Sequence, residues 1–470
     1  MKVRLCAFKK PRNLADFDPS ATPKKVFELG VSPAGLGSDI VNPPASMHEH
    51  TPESHALREQ VWRYAKYRLD LFPVPLDGPV SLEQLTATGS GTITEEGIGG
   101  EAALDMFRDV YAPASISVDH PGYLAFIPSA ATEAASVFDM VVSASSLYGG
   151  TWLEGAGAVF AENQVLEWLA AEVGLPQGAG GAFVQGGTIG NLSALVAARE
   201  AQIAKHSAAE LPIPARWSFV CSVEAHSSLA HAARVMSCDI IKVPVDADGR
   251  LTGEAVEAAV EDWSNVFAVV ATAGTTNFGI VDRLRSVGEV AHAHDVWFHV
   301  DGAYGIAGLL SPEHRPLYDG VDLADSFIVD PHKWLFAPYD ACALVYRDPE
   351  LGRKAHTQHG EYLDVVSGAA EWNPSDYAIH LTRRARGLPF WFSLATYGIK
   401  AYREAIAYNI EVAQKFADVI RSRPNFKLVR EPELSIVVWE RIGWEAADYQ
   451  RWSDMLIEKQ IALVTPSSHQ

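Results

Sequence analysis

From residue 120 to about 350, short apolar runs alternate with segments of helical period, and this rhythm limits the fold more than any other feature of the chain. The runs are Ala182-Phe-Val184, Ser218-Phe-Val-Cys221, Ile240-Ile-Lys-Val243 and Phe267-Ala-Val-Val270, followed by 296–301, 326–330 and 342–346. Helical patterns over 191–205, 252–262 and 284–294 lie among them. Strands joined through helices need crossover connections, which make neighbouring strands parallel and cover both faces of the sheet. The expectation is an α/β fold with a mainly parallel, seven-stranded sheet covered by helices. Ligands in such folds gather beyond the carboxyl ends of the strands. Thr276, Asp301 and Lys333 all lie at or just past a strand end.

The flanks read differently. Residues 1 to about 50 are rich in Pro, Ser and Gly without a sustained period, an extended arm. Thr51-Pro52-Glu53 marks a helix start, and Leu57, Val61, Tyr64, Ala65 and Leu69 form an apolar stripe running towards Pro73. Residues 75–100 are loop-rich, with a helix over 101–111 behind them. Residues 353–377 are polar and Gly-containing, a candidate mobile loop. Beyond Leu388 the pattern gives a long helix over 392–420, strands at 427–429 and 434–439, another helix and a last strand at 461–464. This organisation divides the chain into an N-terminal arm and helical segment (1–110), a large domain (111–390) and a small C-terminal α+β domain (391–470).

A formal net charge of −20 argues against nucleic acid or an anionic membrane as the main partner, because both recruit clustered Lys and Arg. Cys6, Cys221, Cys238 and Cys342 are widely spaced, which fits a reducing cytoplasm better than a disulfide framework or a structural zinc site. No signal peptide is evident and no run approaches a membrane span in length, so a soluble, cytoplasmic protein is expected.

Against that background Lys333, in Asp330-Pro-His-Lys-Trp334, is an odd place to leave an ammonium. Asp301 ends another apolar strand, in Val300-Asp-Gly-Ala-Tyr304. A lysine that bonds an aldehyde and a carboxylate that holds a pyridine nitrogen protonated are what an enzyme using pyridoxal 5′-phosphate (PLP) must supply. Burial beside apolar groups would lower the lysine's pKa and free its amine. His299 shares a strand face with Asp301 and is placed to orient that carboxylate. Gln185-Gly-Gly-Thr-Ile-Gly-Asn191 joins a strand to a helix, where Gly187, Thr188 and free backbone amides suit a phosphate. His226, in Glu224-Ala-His-Ser-Ser228, is a candidate ring to stack on the cofactor and handle protons, and Thr276 a candidate hydrogen-bonding group near the cofactor linkage. Each has a plainer reading alone: a solvent-reaching lysine, a turn aspartate, glycines needed for geometry, a structural histidine. Their joint order gives them weight. His292, His294, Asp295 and His299 match no zinc spacing, so no metal is expected.

Gly186-Gly-Thr188, Ala225-His-Ser-Ser228, Gly274-Thr-Thr276, His299-Val-Asp-Gly-Ala-Tyr304 and Asp330-Pro-His-Lys-Trp334 resemble, in this order, the group II PLP-dependent decarboxylases. These are the aromatic-L-amino-acid decarboxylase-like branch of fold type I. His120-Pro-Gly-Tyr-Leu-Ala-Phe-Ile-Pro128 is similar to that family's substrate-side segment, and the likeness spans roughly residues 52–464. It implies a PLP-dependent transferase-like fold and a homodimer with active sites at the subunit interface, the N-terminal helical segment serving dimerisation. Lys333 would carry the cofactor, Asp301 pair with the pyridinium, His226 stack on the ring and Ala303 pack on its other face. Gly187, Thr188, Asp330 and His332 would surround the phosphate. Tyr362, in Gly360-Glu-Tyr-Leu363, matches a loop tyrosine that the partner subunit contributes to return a proton to the substrate carbon. With His226 it favours simple decarboxylation over oxidative deamination to an aldehyde. The character of Tyr123, Phe126, Ile127, Tyr148 and Trp152, with His120 beside them, favours an aromatic L-amino acid, although acidic and aliphatic substrates share the scaffold. Two departures stand out. Asp330 replaces an asparagine common in relatives, and the chain ends at Gln470 where relatives continue, implying a trimmed C-terminal domain or an incomplete chain.

Overall fold

The computed structural model describes residue 47 and residues 49–128, 130–358 and 372–467. The chain divides into two compact units, residues 1–62 and 63–470. The described part of the first is mainly the start of α1 (Pro52–Asp70), where Thr51 Oγ1 accepts the Ser54 amide at 3.2 Å. No α1 residue is buried among the described residues.

The second unit holds the sheet. Every one of the expected runs is a strand: β1 (Gly180–Val184), β2 (Ser218–Ser222), β3 (Asp239–Val243), β4 (Val266–Thr272), β5 (Trp297–Asp301), β6 (Ser326–Val329) and β7 (Cys342–Tyr346). They lie in the order β1-β7-β6-β5-β4-β2-β3. β7 runs antiparallel to both neighbours and all other pairings are parallel. All but β3 are buried along their whole length, as a sheet covered on both faces requires. β3 is one of the two edge strands, and it exposes Asp239 and Lys242, charges that discourage further pairing.

Strand alternation splits the core in two. Phe298, Val300, Phe327 and Val345 face one side, packed with residues of the helices Trp152–Val173 and Leu284–Ala293. Trp297, Ile328 and Leu344 face the other, against the helices Gly187–Ala208 and Ser227–Met236. Because side chains alternate along β5, His299 and Asp301 point to the second side, toward the Gly187–Ala208 helix. Register then gathers the chemistry at one edge: Asp301 pairs with Thr272 of β4 and Ile328 of β6.

Several expectations need correction. The helix read from residue 191 starts at Gly187, and the one read from residue 392 runs from Leu388 to Arg421, with a kink at Gly398 (φ 76°). The boundary read at 390/391 therefore falls inside its first turn. The expected strand 434–439 is absent; the pair is Phe426–Leu428 with Trp439–Arg441. Ser435 instead gives its amide to Tyr304 Oη at 2.9 Å, tying this stretch to the sheet domain. The last expected strand shrinks to one bridge between Tyr123 and Leu463. The helices Leu82–Gly89, Glu133–Ala144, Trp152–Val173 and Ser227–Met236 were not foreseen. Trp152–Val173 is apolar around much of its circumference, so it lacks the stripe that reveals a helix in a sequence.

One buried ion pair locks the approach to the Leu388–Arg421 helix. Glu162 receives Arg383 through both carboxylate oxygens, at 2.7 and 2.9 Å, and also accepts the Gly387 amide at 2.7 Å. Replacing Glu162 with glutamine leaves a buried guanidinium without its counter-charge. The variant is expected to lose about 3–5 kcal/mol of stability, read as a lowered urea midpoint; an unchanged midpoint would refute the role.

Candidate active site

The site grows from β5 and the turn after β6. Asp301, at the end of β5, is buried, and its Oδ1 accepts the Ala303 amide at 3.2 Å. Its Oδ2 accepts from Asn191 Nδ2 at 2.8 Å. His299 was expected to orient the Asp301 carboxylate directly. It does so at one remove: His299 Nε2 meets Asn191 Oδ1 at 2.9 Å, and Asn191 reaches the carboxylate. Burial pushes the His299 imidazole down to about 4, against the opposing pull of Asp301.

Lys333 follows β6 in a tight turn, its amide bonded to Asp330 O at 2.9 Å. Trp334 pins that turn, stacked on Tyr304 at 5.1 Å and donating from Nε1 to Asn409 at 2.9 Å. Lys333 Nζ sits 3.2 Å from Asp330 Oδ2, and Asp330 is buried. Here the expectation of a depressed lysine fails. Burial does push Lys333 down, but the Asp330 and Asp301 carboxylates outweigh it and hold the ammonium above its ordinary value. Removing one charge should reverse this. In Asp330→Asn the pH midpoint for PLP loading of Lys333 is expected to fall by about 1–3 units, measured by absorbance against pH. An unmoved midpoint would mean that Asp330 does not govern the lysine.

The phosphate end is equally defined. The helix Gly187–Ala208 begins directly after β1, and no side chain caps its N-terminus among the described residues. Thr188 is exposed there. A Cβ at Gly187 would stand 3.1 Å from Ala303 Cβ and 3.2 Å from Asp330 Oδ2, so glycine keeps this cradle open. Open amides at a helix N-terminus, a buried carboxylate and a lysine on adjacent strand ends fit PLP at its phosphate, ring nitrogen and aldehyde. Asp330 is the discordant group, an anion beside a cradle for an anion.

His226 caps the helix Ser227–Met236, its Nδ1 bonded to Ser228 Oγ at 2.9 Å. Thr276 is exposed on the turn after β4, whereas neighbouring Thr275 is buried and bonds the Ile280 amide. His332 Nδ1 lies 2.7 Å from Ala341 O, and its ring is 5.1 Å from Tyr339. Burial pushes the phenols of Tyr339 and Tyr123 up, Tyr339 against the opposing charge of Lys333. The sequence reading missed Tyr339, Asn191 and Ser228 as site residues. The signal for Tyr339 was there: an aromatic on the short link between Lys333 and β7. Among the other substrate-side candidates, His120 Nδ1 accepts the Gly122 amide at 2.8 Å. Phe126 is largely exposed, and Trp152 is anchored through its amide to Asn373 Oδ1 at 2.9 Å. Among the described residues neither is joined to Lys333 by a hydrogen bond or ring contact. Tyr362 lies outside the described residues.

The histidines that mimic a metal set go separate ways. His294 stacks on Trp263 at 3.9 Å, His292 faces Asp325 at 3.5 Å, and His299 is bound to Asn191. No metal-ligating cluster and no helix long and apolar enough to cross a membrane occur among the described residues.

Comparison with known proteins agrees with this chemistry. The pyridoxal-dependent decarboxylase conserved domain matches residues 101–442. An aromatic-L-amino-acid decarboxylase from Bacillus atrophaeus is 31% identical over 361 residues, covering 75% of this chain and 73% of that protein. An L-2,4-diaminobutyrate decarboxylase from Acinetobacter baumannii is 27% identical over 383 residues, covering 76% of this chain and 74% of that protein. The solved structure of Oryza sativa TDC with PLP and tryptamine superposes with a TM-score of 0.81 at 25% identity, covering 89% of this chain and 92% of that one. The chain is a PLP-dependent amino-acid decarboxylase of fold type I, and it belongs to the pyridoxal-dependent decarboxylase family.

Proposed function

We propose that this enzyme removes the carboxylate of an aromatic L-amino acid as CO₂ and releases the corresponding amine. The observation that carries the substrate class is the phenol of Tyr339, beside His332 and within electrostatic reach of Lys333, with Tyr123 next in line. Aromatic rings near the lysine suit an aromatic side chain better than a charged one. Relatives named for aromatic amino acids and tyrosine support this, although the matched set also includes the diaminobutyrate enzyme.

Bound PLP supplies the sink for the electron pair left behind as CO₂ departs. Lys333 provides the amine that holds the cofactor, and the charge of Asp301 keeps the ring nitrogen protonated. His226 covers the ring, Ala303 packs on the other side, and Gly187, Thr188 and His332 line the phosphate end. Tyr362 returns the proton to the substrate carbon, a contribution worth about 10²–10⁴-fold. The working form is a homodimer with active sites at its interface. Exposed large apolar side chains on the helices around the site, Met140, Leu153, Phe160, Tyr408 and Phe416 among them, are in keeping with this. Buried, unpaired Cys221, Cys238 and Cys342 fit a cytoplasmic location. The cofactor-binding part ends where the Leu388–Arg421 helix begins, and the residues beyond form a smaller lobe.

The test is direct. With PLP and a panel of L-amino acids, an aromatic substrate should give amine and CO₂ in equal amounts without hydrogen peroxide. Preference for an acidic or aliphatic amino acid would overturn the substrate class. Aldehyde, ammonia and peroxide as the main products would overturn the reaction.

A further inference from the structure

A continuous chain of hydrogen bonds, buried except at its exposed His226 end, runs behind the site, and its geometry fixes its donors and acceptors. Asn191 is 1% exposed and sits one turn into the Gly187–Ala208 helix. It lies 2.8 Å from Asp301 Oδ2 and 3.0 Å from Ser228 Oγ through Nδ2, and 2.9 Å from His299 Nε2 through Oδ1. An ionised carboxylate can only accept, so the NH₂ end of Asn191 must face Asp301, with its second hydrogen left for Ser228. Asn191 Oδ1 must then accept from His299, which fixes that imidazole as the Nε2–H tautomer. At the other end of the ring, His299 Nδ1 accepts from Ser326 Oγ at 2.8 Å, and Ser326 accepts from Trp297 Nε1 at 2.8 Å. Toward the site, the Ser228 amide donates to His226 Nδ1 at 3.2 Å, which makes that nitrogen an acceptor, so the Ser228 hydroxyl that accepts from Asn191 directs its own hydrogen to Nδ1 at 2.9 Å. His226 therefore presents Nε2–H on its free edge.

We infer that Asn191 is a positioning residue that holds both partners of the cofactor ring, orienting Asp301 directly and His226 through Ser228. The two N–H bonds of one carboxamide thus couple the group assigned to the ring nitrogen with the group assigned to the ring face. The functional part of this inference rests on the PLP assignment above, whereas the hydrogen-bond part does not.

The experiment uses the full chain labelled with ¹⁵N-histidine, examined without cofactor, with His226→Gln to assign the His226 signals. Wild type should show both His226 and His299 as Nε2–H tautomers. Asn191→Ala should move the resonances of both rings and weaken PLP binding, followed by fluorescence titration, by about 10-fold or more. Ser228→Ala should move the His226 signals without displacing those of His299, and Ser228→Thr should restore the wild-type spectrum. If Asn191→Ala does not fold, the serine pair still decides. A Ser228→Ala protein with unmoved His226, or with a displaced His299, overturns the relay, as does unchanged PLP affinity in a folded Asn191→Ala. A wild type that shows both tautomers but binds no PLP would sink the functional assignment while leaving the relay intact.

Discussion

Lys333→Ala is expected to lose the covalent cofactor and to cut turnover by more than about 10³-fold, since a positioned reacting group is worth effective molarities of about 10⁵–10⁸ M. The loss is chemical before it is structural. Lys333 stands on a turn pinned by Trp334, so its removal should leave the strand ends in place. It does leave buried Asp330 without its counter-charge. Lys333 is held above its ordinary value in the folded chain, so its pairing stabilises the fold fully below the usual lysine pKa and is lost as pH rises through the raised one. The variant should therefore be less stable than wild type near neutral pH and converge with it at strongly alkaline pH. Turnover, cofactor absorbance and urea melts check each part. Near-wild-type turnover would remove Lys333 from the chemistry.

The second large effect belongs to Asp301. Asp301→Asn keeps the shape and the contact with Asn191 while deleting the charge proposed to face the ring nitrogen. An opposite charge at contact distance is worth about 1–3 pKa units, so the proton on that nitrogen should become about 10–1000-fold less favourable. Turnover should fall by a comparable factor while the cofactor still bonds Lys333, because Asp301 contributes no atom to that linkage and losing its charge eases release of the lysine proton. Mass spectrometry of the loaded protein and initial rates separate these outcomes. A variant that binds PLP and turns over at the wild-type rate would contradict the pairing.

The sheet was readable from the chain because its strands are buried on both faces and appear as unbroken apolar runs such as Phe267-Ala-Val-Val270. Long helices without a polar face were not, as Trp152–Val173 shows. Lys333 and Asp301 were legible because a charge at the end of an apolar strand needs a reason. Asn191 and Ser228 were visible as letters but not as a pair. They lie 37 residues apart on two helices, and only the packing of those helices beside β5 joins them. The raised state of Lys333 escaped for a related reason. Burial is a property of a segment, whereas the carboxylates that outweigh it come from Asp330 and from a different strand. Sequence also put Ser435 in a strand, where the pull of Tyr304 takes its amide instead.

The most direct test is chemical trapping. Purified wild-type protein is loaded with PLP, reduced with borohydride, digested and mapped by mass spectrometry. A single pyridoxyl group on the peptide carrying Lys333 is the predicted result; an unmodified Lys333, or a label on another lysine, would contradict the account.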